Sequence, residues 1–302
     1  MLDLRQIERK GFEFVAASML RVLPLLTWEL DGRRVTLPFH EDTDPNRLYR
    51  FRTRVEVPET RFRWLLKVVM SGNALLKVDG SSWAGIDDAH TYAPVEPGAH
   101  EIELVASPRS MFGFHRWSFT FSYAALVEVA WRAYATGMRI LATVGFVEAL
   151  PRDSDLRRAL HELLSRVLLR TRVVPSLAQV AVAMSLLYEG GVGMGALGMR
   201  RRDIRPPPLP FAFLAGVYGA GVVKGAIEDI GPVTHVEELL REAERVEREL
   251  SEGFEELRRR FPKIGEVYAF AHSHIDAAWL WPYSETREKI LRTFSTVVRL
   301  FK

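Results

Sequence analysis

The chain has 302 residues, of which 48% are hydrophobic, and this is enough to bury the cores of two or three domains. Its 41 lysines and arginines nearly balance its 38 aspartates and glutamates, so the net charge is only +3. Because the two signs are interspersed along the chain instead of forming blocks, we expect no nucleic acid partner.

The composition also limits the chemistry that the chain can perform. It has no cysteine, so disulfides and thiolate metal sites are excluded, and histidine and carboxylate remain as metal ligands.

The first ten residues carry mixed charge without an apolar core, so we expect no signal peptide. No run of about 18 apolar residues, the length of a transmembrane helix, occurs. We therefore expect a cytoplasmic protein without a membrane partner.

Residues 1–122 are predicted to form an antiparallel β-sandwich. Short apolar or alternating runs predict strands at 28–30, 51–57, 64–70, 74–78 and 100–106. The segments between them carry turn signals: Asp31-Gly32, Ser71-Gly72-Asn73, Asp79-Gly80 and Glu96-Pro97-Gly98. Short strands at this spacing are typical of a sandwich.

Some residues of this domain invite a functional interpretation. Trp83, Tyr92 and Trp117 can stack on a sugar ring or can be core and interface aromatics, and the sequence leaves both open. Asp87 and Asp88 are adjacent carboxylates. Because neighbouring residues of a strand point to opposite faces, we interpret them as part of a turn and not as a catalytic pair.

Residues 123–262 are predicted to be helical. Apolar residues at helical spacing predict helices around 126–134 and 156–167, with a break at Pro151 and a cap at 153–155. Between 235 and 261 the apolar residues step by three or four among glutamates and arginines. This is the clearest helix, and it either packs on its own domain or binds a partner as a coiled coil.

The segment between these helices contains a glycine motif and a basic cluster. Gly193, Gly195 and Gly198 fit Gly-x-Gly-x-x-Gly, but the strand and the acidic residue of a dinucleotide site are missing, so we interpret them as packing or loop residues. The arginines at 200–202 and 205 are interpreted as a solvated loop, and the proline run at 206–210 as an extended linker.

The last forty residues contain the candidate site. Residues 267–271 predict a buried strand. If it continues to Asp276, a period of two places His272, His274 and Asp276 on one face. Imidazole and carboxylate are ligands that suit zinc or a similar divalent ion.

A loop and a helix follow the predicted strand. Pro282 ends the extended run, and Ser284 is predicted to cap the next helix. Its apolar residues at helical spacing are Ile290, Phe294, Val297, Val298 and Phe301. In parallel α/β folds, binding sites lie at such carboxyl ends of strands.

The run His272-Ser-His-Ile-Asp-Ala-Ala-Trp-Leu-Trp-Pro282, followed by Glu285-Thr-Arg, Lys289 and Arg292-Thr-Phe-Ser-Thr, resembles the start of the catalytic domain of family 38 glycoside hydrolases, the α-mannosidases. It is most similar to their cytosolic-type and microbial branch. Residues 76–104 resemble, more loosely, the jelly-roll-like amino-terminal domain of the same enzymes.

This resemblance implies roles for individual residues. It makes His274 and Asp276 the ligands of a divalent metal, with zinc expected and cobalt as an alternative, and Trp279 a substrate contact. His272 has no matching ligand role, so it is expected to be structural or to support the ligands. The family's nucleophile and acid/base come later in sequence, so both are expected beyond residue 302 and no catalytic residue is assigned here.

The resemblance also implies the fold class and the function. We expect a multidomain α+β chain: a jelly-roll-like sandwich (1–122), a helical region (123–262) and the first strand and helix of an incomplete (β/α) barrel (263–302). The expected function is metal-dependent, retaining hydrolysis of terminal α-mannosides of glycans. A second polypeptide is expected to complete the barrel, and residues from Gly265 onward are expected to be poorly stabilised without it.

Two alternatives remain open. His-x-His at a first strand end also occurs in metal-dependent amidohydrolases, where both histidines are ligands, so His272 would join His274 there. The chain could instead be a non-catalytic module that binds carbohydrate or a protein partner and keeps a vestigial metal motif.

Overall fold

A computed structural model describes residues 1–44, 46–87, 90–109, 117–188, 235–261, 263, 265–266, 268, 270, 272, 274–279 and 281–301. The described residues form a multidomain α+β fold, as predicted, with two compact units. The glycine motif at 193–198, the arginines at 200–205 and the proline run at 206–210 lie outside the described residues.

One unit is a sandwich of two antiparallel sheets and contains the described parts of Val22–Glu128 and Ala271–Lys302. One sheet has the strand order β3-β2-β5-β10-β7-β8, and the other has the order β1-β11-β6-β9, with β4 also paired to β11. The strands are β1 Met19–Pro24, β2 Thr27–Leu30, β3 Arg33–Thr36, β4 Phe39–Asp42, β5 Tyr49–Val57, β6 Arg63–Met70, β7 Asn73–Val78, β8 Ser81–Ile86, β9 Tyr92–Val95, β10 Gly98–Ser107 and β11 Ser118–Val129.

The sandwich core lies between the two sheets. Leu104 of β10 is opposite Phe51 of β5 and Leu76 of β7, and all three side chains are buried. Phe121 of β11, in the other sheet, meets Phe51 edge to face with ring centroids 5.0 Å apart. Contacts of this kind between sheets provide most of the stabilisation of a sandwich.

The predicted turns are confirmed, and one of them requires glycine. The backbone of Gly72 has a φ of +109°, and a side chain there would collide with the carbonyl oxygen of Ser107. Asp87 also lies in a turn, as predicted, because its carboxylate accepts from the His90 amide at 2.8 Å. Asp88 lies outside the described residues.

The helices follow the predicted spacing with two differences. They are α1 Leu4–Ala17, α2 Trp131–Ala149, α3 Asp155–Leu168, α4 Leu177–Tyr188, α5 Val236–Arg260 and α6 Tyr283–Leu300. Residues 126–129 were predicted to be helical, but they form the end of β11, because they continue the apolar, buried run 123–127, which suits a strand buried on both faces. Helix α1 was not predicted.

The second unit is helical and contains the described parts of Met1–Arg21, Val129–Met184 and 235–270. Helix α1 belongs to this unit, although the sequence grouped it with the sandwich, since its buried face with Ile7 and Phe14 packs on α2. Ser154 caps α3, as predicted. The apolar face of α5 is buried in its own unit, so the coiled-coil alternative is not needed.

Among the described helices, none is both long and apolar enough to cross a bilayer.

Candidate metal and sugar site

His274 and Asp276 lie together, as the sequence predicts for a ligand pair. Nε2 of His274 is 2.9 Å from Oδ1 of Asp276, and both side chains are accessible. The ring of His272 is farther away, with its centroid 6.3 Å from that of His274. The structure therefore brings together the two residues that the family resemblance assigns to the metal.

This pair fits part of a zinc site. A catalytic zinc usually has three protein ligands, and imidazole nitrogen with carboxylate oxygen is a common combination. Among the described residues, no group of three or more His, Cys, Asp or Glu is placed to hold a metal. His274 and Asp276 supply suitable donors, and a further ligand would have to come from elsewhere.

The strand predicted before this pair is not formed in the described residues of the stretch. Tyr268 and Phe270 belong to no strand and are exposed, while Val267, Ala269 and Ala271 lie outside the described residues. A strand requires a hydrogen-bonded neighbour, and none of the described strands pairs with this segment. The pairing of His274 with Asp276 does not depend on that strand.

Two tryptophans after the pair have opposite environments. Trp279 is 60% exposed and Trp281 only 6% exposed, and their rings meet edge to face at 5.6 Å. Nε1 of Trp281 donates to Thr286 Oγ1 at 3.2 Å, and the Lys289 ammonium lies 3.7 Å from the centre of the Trp281 ring. Trp281 is thus an anchor, and Trp279 presents a free ring face.

The first turn of α6 closes this loop. The hydroxyl of Thr286 donates to the carbonyl of Ala277 at 2.5 Å, and Thr286 is buried. The prediction that Ser284 caps the helix is wrong: the helix begins at Tyr283, with Pro282 in the cap position. Proline fits this boundary, because its missing N–H is not needed there.

Charged residues of α6 are buried beside the loop. The guanidinium of Arg292 donates to the carboxylate of Glu285, and their side chains are only 9% and 8% exposed. Burial lowers the pKa of Lys289, and the positive charge of Arg292 lowers it further. The carboxylates of Glu285, Asp276 and Asp87 oppose this shift, because they favour the charged ammonium.

Helix α6 lies against strand β8. The backbone amide of Gly85 donates to Thr296 Oγ1 at 2.9 Å. The guanidinium of Arg299 lies 3.1 Å from the centre of the Trp83 ring, and burial lowers the pKa of Arg299. Trp83 is therefore an interface aromatic. Of the other two aromatics considered for sugar binding, Tyr92 is partly exposed and Trp117 largely exposed.

The buried face of α6 is polar and its exposed face is apolar. Residues spaced by four and three approach β8 or the loop: Glu285, Lys289, Arg292, Thr296 and Arg299. The apolar residues at helical spacing, which are Ile290, Phe294, Val297, Val298 and Phe301, are exposed. The polar residues recur in steps of four and three, and this helical spacing is the sequence signal that could have identified the buried face.

A cavity of about 280 Å³ lies beside the first turn of α6. Asn46, Ser107 and Arg109 of the sandwich line one side of it, and Ser284 and Arg287 line the other. The Arg109 guanidinium is buried and donates to Asn46 Oδ1 at 2.6 Å. The sequence analysis did not single out these residues.

Comparison with known proteins defines the class of this region. Residues 265–302 match the family described as Glycosyl hydrolases family 38 N-terminal domain. The matched stretch contains His274, Asp276, Trp279 and all of α6. This part of the chain is therefore similar to the N-terminal domain of family 38 glycosyl hydrolases.

Two curated relatives are α-mannosidases. The chain is 50% identical over 36 residues to alpha-mannosidase 2C1 of Mus musculus. The aligned stretch covers 12% of this chain and 4% of the mouse protein. The chain is also 52% identical over 33 residues to an alpha-mannosidase of Saccharomyces cerevisiae. That aligned stretch covers 11% of this chain and 3% of the yeast protein. The match thus spans a small part of either relative.

Among solved structures, the chain is similar to one of the CBM51-2 domain in complex with GlcNAc and INT domains from Clostridium perfringens ZmpB. The two share 13% identity, and the match covers 59% of this chain and 39% of that chain. The TM-score is 0.20, which is too low to support an argument about fold or ligand.

Proposed function

We propose that this chain is the amino-terminal part of a metal-dependent, retaining α-mannosidase of the cytosolic-type and microbial branch of family 38. Its substrate would be terminal α-mannosides of glycans. In this proposal His274 and Asp276 hold a divalent metal, zinc or alternatively cobalt, and Trp279 contacts the sugar. A cytoplasmic location is part of the same proposal.

One observation carries the proposal. The stretch that matches the family is also the stretch where His274 and Asp276 lie 2.9 Å apart, beside an exposed tryptophan. An exposed aromatic face suits the apolar face of a sugar ring, and two polar donors beside it suit the metal that would orient its hydroxyls. Residue types that suit a metal and a sugar therefore occur together in the matched region, which supports the proposal.

The residues of the loop would have different roles in catalysis. When bound, a divalent ion would supply a template and Lewis-acid function toward sugar oxygens. Trp279 would position the ring, and its own orientation is set by Trp281, which is fixed through Thr286 and Lys289. Retaining hydrolysis further requires two carboxyl groups about 5 Å apart, one as nucleophile and one as acid/base. We assign neither to the described residues.

We propose that further polypeptide, in the same or a second chain, completes the site. The exposed apolar residues of α6 support this, because a helix normally buries such a face against a neighbour. They are Ile290, Leu291, Phe294, Val297, Val298, Leu300 and Phe301. The missing third metal ligand among the described residues is consistent with the same proposal.

Hydrolysis of a chromogenic α-mannoside with added zinc or cobalt tests the proposal. The assay would use this chain alone and mixed with a polypeptide carrying the remainder of the barrel. We expect activity in the mixture that is lost on His274→Ala or Asp276→Ala and kept on the control Lys263→Ala, which changes an exposed side chain. Activity that survives both ligand substitutions would contradict the metal assignment.

A second candidate is a non-catalytic module that binds carbohydrate or a partner and keeps a vestigial metal motif. The incomplete ligand set and the exposed Trp117 and Trp279 favour it. It predicts binding of an α-mannoside without metal and no hydrolysis with any complementing polypeptide. The same assay, combined with calorimetric titration of mannose, separates the two candidates.

A further inference from the structure

Strand β8 fixes the backbone of α6 at a defined point. The Gly85 amide donates to Thr296 Oγ1 at 2.9 Å, and the same hydroxyl donates to the Arg292 carbonyl at 2.8 Å. A Cβ atom on Gly85 would lie 3.1 Å from Cβ of Arg292 and 3.4 Å from its carbonyl oxygen. Glycine therefore allows the helix to approach the strand this closely.

A second contact lies about one helical turn beyond Thr296. The Arg299 guanidinium covers the ring of Trp83, and Nε1 of Trp83 donates to the carbonyl of Pro94 at 2.7 Å. The ring is therefore fixed to β9 on one side and to α6 on the other. Two contacts separated along the helix determine its direction as well as its position.

The contacts continue from α6 to the motif loop, which we define as residues 274–282; Leu280 lies outside the described residues. Arg292 forms the buried ion pair with Glu285 in the first turn. The next residue, Thr286, holds the carbonyl of Ala277 and the indole of Trp281. Ala277 follows Asp276 directly, so the connected contacts extend from Gly85 to the metal-ligand pair.

These contacts are hydrogen bonds and ion pairs, which depend on direction. A hydrogen bond weakens steeply when its angle or distance changes, whereas an apolar interface tolerates sliding. The buried polar groups would also lose their partners if the helix shifted, which opposes any shift. A polar interface is therefore suited to fixing an orientation.

We propose that strand β8 of the sandwich is a positioning platform for the motif loop. Gly85 and Trp83 receive helix α6, and Arg292, Thr296 and Arg299 are positioning residues that set the orientation of the loop with Asp276 and Trp279. The proposal rests on the proposed function for the meaning of the loop. It goes beyond that function by assigning the sandwich domain a role in the site.

Disulfide trapping in the intact chain tests the docking of α6. The chain has no cysteine, so an introduced pair reacts without background. The pair Gly85→Cys with Arg292→Cys should cross-link on mild oxidation, because the 3.1 Å between Cβ positions has to widen by only a few tenths of an ångström to reach the usual separation of about 3.5–4.5 Å. The control pair Gly85→Cys with Leu291→Cys should not, because Leu291 is on the exposed face.

Hydrogen exchange tests the positioning itself. Thr296→Val removes the acceptor for the Gly85 amide. We expect amide hydrogen exchange in residues 274–301 to become up to about tenfold faster, because this is the effect of losing one hydrogen bond. Thr296→Ser keeps the hydroxyl and should restore the slow exchange. Exchange in β7 and β10 should stay unchanged, which distinguishes positioning from general loosening of the sandwich.

The outcomes separate this inference from the proposed function, since neither readout needs metal or substrate. Cross-linking of the first pair with a localised exchange effect supports the platform even if no α-mannoside is hydrolysed. Equal cross-linking of both pairs, or unchanged exchange in residues 274–301 on Thr296→Val, would overturn it even if zinc binding and hydrolysis are found.

Discussion

The guanidinium of Arg292 and the carboxylate of Glu285 form an ion pair between residues about two helical turns apart, with both side chains over nine-tenths buried. A buried pair of this kind contributes little to stability in total, but it is costly to break when one partner remains. It connects the face of α6 that contacts β8 to the turn that holds the motif loop.

Arg292→Met should destabilise the docked helix by about 3–5 kcal/mol, because it leaves the Glu285 carboxylate buried without its partner. The double variant Arg292→Met with Glu285→Gln should be less destabilised, since it removes both charges. Local unfolding free energies from hydrogen exchange of α6 provide the measurement. The exposed Arg287→Met is the matched control. Equal effects of Arg292→Met and Arg287→Met would refute the importance of the pair.

Trp279→Ala and Trp281→Ala should have different consequences. Trp279 is exposed, so its removal should leave the fold intact. In the completed enzyme it should raise KM for an α-mannoside about tenfold or more, because the lost ring contact contributes roughly 1–2 kcal/mol to binding. Trp281 is buried, so its removal should speed exchange in the motif loop. Steady-state kinetics and hydrogen exchange on both variants check this. A fold defect in Trp279→Ala alone would reverse the assignment.

The His100–Asp79 pair should make sandwich stability depend on pH. The hydrogen bond from His100 Nδ1 to Asp79 raises the pKa of His100 and lowers the pKa of Asp79. The contribution of His100 is fully present below its unfolded pKa of about 6.5 and is lost as pH rises through the raised folded pKa. That of Asp79 is present above about 3.9 and is lost as pH falls through the lowered folded pKa.

Stability from this pair should therefore be greatest between about pH 4 and 6.5 and should fall toward pH 8. Asp79→Asn should flatten that decrease. Asparagine is suitable because it tolerates a positive φ, and the φ of Asp79 is +52°. Denaturant titrations at several pH values provide the test. Asp42→Asn, beside the exposed His40, is the control and should leave the profile unchanged.

Leu250→Ala should destabilise the helical unit by about 2–5 kcal/mol, because Leu250 of α5 is fully buried and its truncation leaves a cavity. Leu169→Ala removes the same atoms from an exposed position and should cost much less. Chemical unfolding monitored by circular dichroism compares the two variants. Similar losses would mean that the apolar face of α5 does not form the core of this unit.

Local patterns predicted the sandwich strands well. The strands at β2, β5, β6, β7 and β10 combine apolar alternation with turns at Asp31-Gly32 and Asp79-Gly80, and both signals are local. Short or polar strands such as β3 and β4 carry a weak pattern, since they gain their stability from the neighbour they pair with. Their positions therefore could not be predicted from their own residues.

The orientation of α6 could not be predicted from hydrophobicity. Its apolar residues at helical spacing, such as Ile290, Phe294 and Val298, are exposed. The buried face instead contains Arg292 and Thr296, whose partners on β8 lie more than two hundred positions earlier in the sequence. Only the tertiary structure brings these partners together. By contrast, His274 and Asp276 are only two positions apart, so the sequence alone could indicate that their side chains lie near each other.

Calorimetric titration of zinc into this chain tests most directly whether residues 274–276 form part of a metal site. We expect weak binding with one ion per chain, lost on His274→Ala and on Asp276→Ala and unchanged on His272→Ala. Binding that survives both ligand substitutions would contradict the account. A loss on His272→Ala equal to that on His274→Ala would instead favour the amidohydrolase-like use of both histidines.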